Sequence, residues 1–161
     1  MLRHTRRTGT AFAAAALLAL TGAAAADAAT PAQTATAKDV TSGPFTFTFT
    51  AQRAAEAKEN AATGTFDAVG RLGTLPLMDL HGPITCLNVR GNRMGLFYPV
   101  AQSNPALFSQ IMMGVLIYMS VDGKGHATAI EFLPVPFTKV KSCAPTAGTL
   151  LPATGAASLT S

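Results

Sequence analysis

The chain has 161 residues, a net charge of +4, 48% hydrophobic residues and two cysteines. Those values fit one domain, and without Lys and Arg clustered on one face they give no support for a nucleic-acid partner, so none is expected. Much of the apolar fraction is alanine near the two ends, so it overstates the core.

The N-terminus reads as a secretory signal over residues 1–28. Arg3, His4, Arg6 and Arg7 form a basic region, Ala11 to Leu20 a short apolar one, and small residues follow. The apolar run is too short to span a bilayer, which takes about 20 residues. Cleavage is placed after Ala28, although Ala24-Ala25-Ala26 fits the small-residue rule nearly as well. Arg6-Arg7 is set aside as a twin-arginine signal, because Thr8-Gly9-Thr10 carries no further apolar signature. Loss of the signal removes Arg3, Arg6, Arg7 and Asp27 and leaves a mature charge of +2, so the basic balance is partly a property of export.

Residues 29–43 are Ala- and Thr-rich with Val40 as the one large aliphatic, and are expected to be a flexible leader. Order is expected from Pro44 to Cys143. Phe45, Phe47 and Phe49 alternate with Thr46, Thr48 and Thr50, a strand whose Phe face turns inward. Ala51 to Asn60 is compatible with a short exposed helix or with a strand end and polar loop. Ala61 to Val69 returns to strand character and is expected to pair with the Phe strand. Gly70 to Gly82, broken by Gly73 and Pro76, reads as a connection or edge strand with Leu72, Leu75 and Leu77 tucked down.

Gly82 to Val100 is the organising hairpin. Gly91-Asn92 has the composition of a two-residue primed turn with both residues at positive φ, which makes Asn92→Val an expected destabilising change. The turn pairs Arg90 with Arg93, Val89 with Met94, Leu87 with Leu96 and Thr85 with Tyr98 on one face, and Cys86 with Phe97 on the other. Gln102 to Gln110, with Asn104-Pro105, reads as a loop, and Ile111 to Val121 as a buried strand. Asp122 to Gly125 is a turn. Ala127 to Leu133 and Val135 to Val140 are expected as two strands separated at Pro134. About seven short antiparallel strands result, an all-β barrel or sandwich.

Two cysteines in an exported chain predict one disulfide, Cys86 to Cys143, which would fasten the last strand to the hairpin. The competing reading is a Cys nucleophile served by His81 or His126, for which no orienting partner is evident. His81, His126, Asp79 and Asp122 are the one conceivable metal set, without recognised ligand spacing, and no cofactor or catalytic motif occurs. Arg90 facing Arg93 is a candidate anion contact. Phe45, Phe47, Phe49, Met112, Met113 and Tyr118 are the candidate lining of an apolar ligand site, should a barrel leave room for one.

Residues 144–161 are expected to be a disordered tail. Within it Leu151 to Gly155 spells L-P-A-T-G and resembles the sorting signal of Gram-positive cell walls, which implies wall attachment, yet no spanning stretch and basic end follow. The segment Gly82 to Asn92, with the F-x-F strand and Ala62, Gly64 and Phe66, resembles a group of small exported proteins of high-GC Gram-positive bacteria. The resemblance spans roughly Pro44 to Cys143 and implies export and a β-rich domain, with no activity or site residues. The expectation is therefore a secreted, non-enzymatic β-domain acting through its surface or a partner. An apolar-ligand barrel and a wall-attached protein are the alternatives.

Overall fold

The computed structural model describes residues 32–71, 73–106, 113–136, 140–146 and 150–161; the signal region lies outside them. Among the described residues, eleven strands form two antiparallel sheets, with one 3-10 turn beside them. The strands are β1 Gln33–Ser42, β2 Phe45–Arg53, β3 Thr63–Gly70, β4 Met78–Pro83, β5 Cys86–Arg90, β6 Arg93–Pro99, β7 Gln102–Asn104, β8 Met113–Val121, β9 Ala127–Pro136, β10 Leu151–Pro152 and β11 Thr154–Thr160. Sheet A runs β11-β1-β2-β3-β4-β7, and sheet B runs β10-β9-β8-β6-β5. The two pack as a sandwich. Strands change sheet at its corners: β4 leads into β5 through Ile84, β6 into β7 through Val100, and β10 into β11 through buried Ala153.

Between the sheets lie the Phe face of β2 and the inner face of the hairpin. Phe47, Phe49 and Phe66 stack at centroid separations of 6.0 to 6.5 Å, and Tyr98 stacks on Phe66 at 4.1 Å. Leu87, Val89, Met94, Leu96, Ile117 and Ile130 complete this core. Burial of an aromatic or large aliphatic side chain contributes about 1.5–3 kcal/mol, so these residues supply most of the cohesion.

Residues 33–42 were expected in a flexible leader, and form β1. The chain alternates: Gln33, Ala35 and Ala37 turn inward while Thr34, Thr36 and Lys38 face out. A bulge with Asp39 at φ 50° then shifts the phase so that Val40 and Ser42 are buried. Its two inward alanines bring little apolar area of their own, but Ala37 pairs with Phe49 and Val40 with Phe47, while Ala35 pairs with Ala51. Small opposite large fills the layer, and ladders to β2 and β11 on both flanks supply the hydrogen bonds. The expected disordered tail is corrected in the same way, since 151–160 forms β10 and β11.

The hairpin register is as expected from Cys86↔Phe97 to Arg90↔Arg93, but the expected Thr85–Tyr98 pair is not in the ladder: the Thr85 N–H donates to the Phe97 carbonyl at 3.0 Å instead. The turn itself differs. Gly91 sits at φ 58° and Asn92 does not have positive φ, the pattern of a II′ rather than a I′ turn. Residues 51–60 divide into the end of β2, a turn, and the 3-10 turn Glu59–Ala61. Leu75 and Leu77 are exposed rather than tucked down. Gln102 to Asn104, expected in a loop, adds the short edge strand β7. Strand β9 runs unbroken through Pro134 and Pro136, where two strands were expected. Both prolines lie beyond the two residues that pair with β10, on a flank where a missing N–H breaks no ladder bond.

The outer faces of the two sheets differ. Sheet B is covered by a strap. Cys86 and Cys143 form a disulfide with Cα atoms 6.1 Å apart, and Val140, Cys143 and Leu150 cover Phe97, Leu116, Tyr118, Leu133 and Val135. The bridge was expected to join the closing strand to the hairpin; it instead pins an irregular segment across the outside of sheet B. Gly95 makes room for it, because a Cβ there would lie 1.8 Å from the Cys143 carbonyl oxygen.

Candidate binding face

Among the described residues nothing covers the outer face of sheet A, and that face follows from the alternation that builds β1, β2, β3 and β11. Every second residue that does not enter the core is Thr, Ser or Gln on most of these strands, so cross-strand pairing sets hydroxyls in rows. One row runs Ser158, Thr36, Thr50, Thr65, and the next runs Thr160, Thr34, Gln52, Thr63. Thr36 and Ser158 share a hydrogen bond of 2.9 Å, as do Thr41 and Thr154. Thr48 Oγ1 accepts the Asp39 N–H at 3.1 Å and so holds the bulge. Two shallow grooves cross the face, of about 290 Å³ over Thr34, Thr36, Thr50, Thr63 and Gly64, and about 490 Å³ over Thr36, Lys38, Thr48, Thr50, Ala156 and Ser158. They share Thr36 and Thr50 and form one trough, floored by small residues.

At the β3–β4 margin of this face, His81 lies between two carboxylates. Its Nδ1 is 2.5 Å from Asp67 Oδ1 and its Nε2 2.8 Å from Asp79 Oδ1. Hydrogen bonding to Asp67 raises the imidazole pKa, partial burial opposes this, and the two negative charges reinforce it. Both ring nitrogens are occupied on opposite sides, which is not a chelating arrangement. His126 stands apart, bridged to Ala156 of β11, with Nδ1 3.3 Å from Asp122 Oδ2. The histidine and aspartate set expected from sequence therefore separates into two groups at opposite margins of sheet A. Asp67, which had no role in that expectation, is the partner across the strand pair.

The other expected site residues are dispersed. Phe47 and Phe49 are core, Phe45 is half-buried against Phe132 at 6.3 Å, and Tyr118 faces the strap on the opposite side of sheet B. Met112 lies outside the described residues, and Met113 is the first residue of β8. These residues do not line one site, because consecutive positions on a strand serve opposite faces. Arg90 and Arg93 are exposed cross-strand neighbours, and Arg90 Nε donates to Asn88 Oδ1 at 3.2 Å. Neither cysteine is a thiol, which removes the nucleophile reading. Glu59 lies close to both sulfurs, but disulfide sulfur offers no thiolate for a metal.

Glu59 has a structural task that sequence reasoning missed. Its carboxylate accepts from Ser142 Oγ at 2.7 Å, from the Cys143 N–H at 3.1 Å and from buried Asn88, so it ties the 3-10 turn to the strap and to β5. Burial pushes its pKa up, but these hydrogen bonds and the charge of nearby Arg53 leave it below the ordinary value.

The L-P-A-T-G stretch forms a corner of the sandwich. Leu151 and Pro152 pair with β9, Ala153 is buried and donates to the Thr128 carbonyl at 3.1 Å, and Thr154 pairs with Thr41. A sorting enzyme needs these residues extended and free, whereas here the Thr154–Gly155 bond lies in the start of β11. Among the described residues, no helix is long and apolar enough to cross a membrane. Searches against protein families, curated proteins and solved structures return no match for this chain.

Proposed function

We propose that this chain is an exported, non-enzymatic binding module that works through the outer face of sheet A. The observation that carries the reading is the asymmetry between the two outer faces. One is sealed by a strap held by a disulfide, and the other presents an open trough between aligned hydroxyls. The disulfide is compatible with an extracellular site of action. Interior binding is disfavoured by the aromatic stack, which fills the space between the sheets with the protein's own rings.

Hydrogen exchange of the secreted protein, with and without the isolated envelope fraction of the cells that export it, tests the reading. Protection concentrated in β1, β2 and β11, with β5 and the strap unchanged, is the expected result. Protection confined to sheet B, or none anywhere, would overturn it.

A further inference from the structure

The residues of the open face define what it can hold. Across β1, β2 and β11 the outward side chains are Thr, Ser, Gln and small residues apart from the adjacent opposite charges Lys38 and Asp39, and Lys38 is the one exposed Lys or Arg on those three strands. A polyanion needs several clustered cations, so nucleic acid and acidic polymers lack their counter-charge. Protein partners are anchored by buried Trp, Tyr or Arg, and these three strands present none outward. Every Thr or Ser hydroxyl both donates and accepts and can rotate to suit. The complementary ligand is thus uncharged and itself carries many groups that both donate and accept. It must also repeat, since same-face residues recur about every 6.6–6.8 Å along a strand and strands lie about 4.8 Å apart, the scale of one sugar ring.

On these grounds, and resting on the functional reading above, we infer that the trough over Thr36 and Thr50 binds an uncharged polysaccharide. The sugar hydroxyls hydrogen-bond the threonine rows, while threonine methyls and the small floor at Gly64 and Ala156 meet the apolar faces of the rings. No bond is made or broken. Because no aromatic platform lies on this face, each sugar contributes weakly and a chain of several is required.

The test is an NMR titration of the intact secreted protein with three probes: a β-1,4-linked glucose hexamer, an N-acetylglucosamine hexamer, and polygalacturonate as the anionic counterpart. At least one neutral oligomer should shift the amides of β1 and β2. The exposed, near-isosteric pair T36V/T50V should weaken that binding by about tenfold, as expected for lost hydrogen bonds, with a melt lowered by no more than loss of the exposed Thr36–Ser158 bond. Preference for polygalacturonate, shifts located elsewhere, or indifference to T36V/T50V would overturn the inference. If envelope protects sheet A while no neutral oligomer binds or competes, the ligand class is wrong and the face is right. Envelope protection on sheet B would remove both.

Discussion

The side-chain amide of Gln33 and the backbone of Val89 make the two hydrogen bonds of a β-ladder rung without a strand between them. Gln33 Oε1 accepts the Val89 N–H at 2.8 Å, and its Nε2 donates to the Val89 carbonyl at 3.0 Å. A residue of sheet A thereby satisfies the outer edge of β5, the last strand of sheet B, at a buried position. Gln33→Ala should leave two backbone groups without partners and lower stability by about 1–3 kcal/mol in chemical denaturation. A loss no larger than that of an exposed Gln52→Ala control would mean that water replaces the amide.

The hairpin turn should be sensitive at its first position. Gly91 has φ 58° with open space around the site of a Cβ, so Gly91→Val is penalised by backbone conformation alone, by about 1–3 kcal/mol. Asn92→Val should be nearly neutral, the reverse of what a I′ turn requires. Thermal melts of the two variants decide between the turn types.

Gly95 and the disulfide should be coupled. In the oxidised protein Gly95→Ala forces the strap off β6, because the added methyl meets the Cys143 carbonyl. In a Cys86→Ser/Cys143→Ser background the strap can yield, and the cost of the same alanine should shrink; a double-mutant cycle measures the difference. The double Ser change should itself cost on the order of 4 kcal/mol, by the chain-entropy model for a loop of 57 residues. Non-reducing peptide mapping should return the Cys86–Cys143 pair.

His81 makes the β3–β4 margin respond to pH. Its pKa is raised in the folded state, so its contribution is complete below the ordinary histidine value near 6.5 and is lost as pH rises through the folded value. A neutral imidazole has one N–H and leaves one carboxylate facing a lone pair. The groups are about half exposed, which keeps the effect within about 0.5 kcal/mol. Two-dimensional NMR should place the His81 midpoint above the ordinary histidine value near 6.5, and Asp67→Asn should bring it down. A His81 midpoint at or below the ordinary value would show that the clamp is open in solution.

Glu59→Gln should loosen the strap specifically. Its carboxylate has a lowered pKa, so its contribution is present above the unfolded glutamate value and lost as pH falls through the folded one. Amide exchange at Cys143 should accelerate in the variant at neutral pH, and in the wild type on acidification. Unchanged exchange would mean that the disulfide alone holds the segment.

The parts of this fold legible in the amino-acid order are those governed by local rules. The register of β5 and β6 followed from a two-residue loop, and the inward Phe face of β2 from strict alternation. Strands β1 and β11 were not legible, because Ala and Thr carry no burial signal of their own; their order comes from Phe47 and Phe49 next door and from each other. The Thr-Ala alternation of residues 34–37 was the available signal, outweighed by composition. Glu59 and Asp67 were missed for a different reason: their partners lie 83 and 14 residues away, and no local pattern links them. Tyr118 was placed with the phenylalanines by apolarity, where strand parity puts it on the far side of sheet B. The threonine rows were visible as the polar half of the Phe-Thr repeat, but their alignment depends on pairings that no single strand specifies.

Strand β1 is flanked by β2, its immediate successor, and by β11, whose Ser158 lies 122 residues beyond Thr36. Synthesis from the N-terminus therefore delivers β1 early and its second partner late. Until β11 arrives, one flank of β1 is an unpaired edge of small and hydroxylated residues. Such a segment is poorly adhesive to other exposed strands because it has little β-branched aliphatic surface to offer. The plain Ala-Thr composition that hides β1 from a sequence reading is, during delivery, what lets it wait.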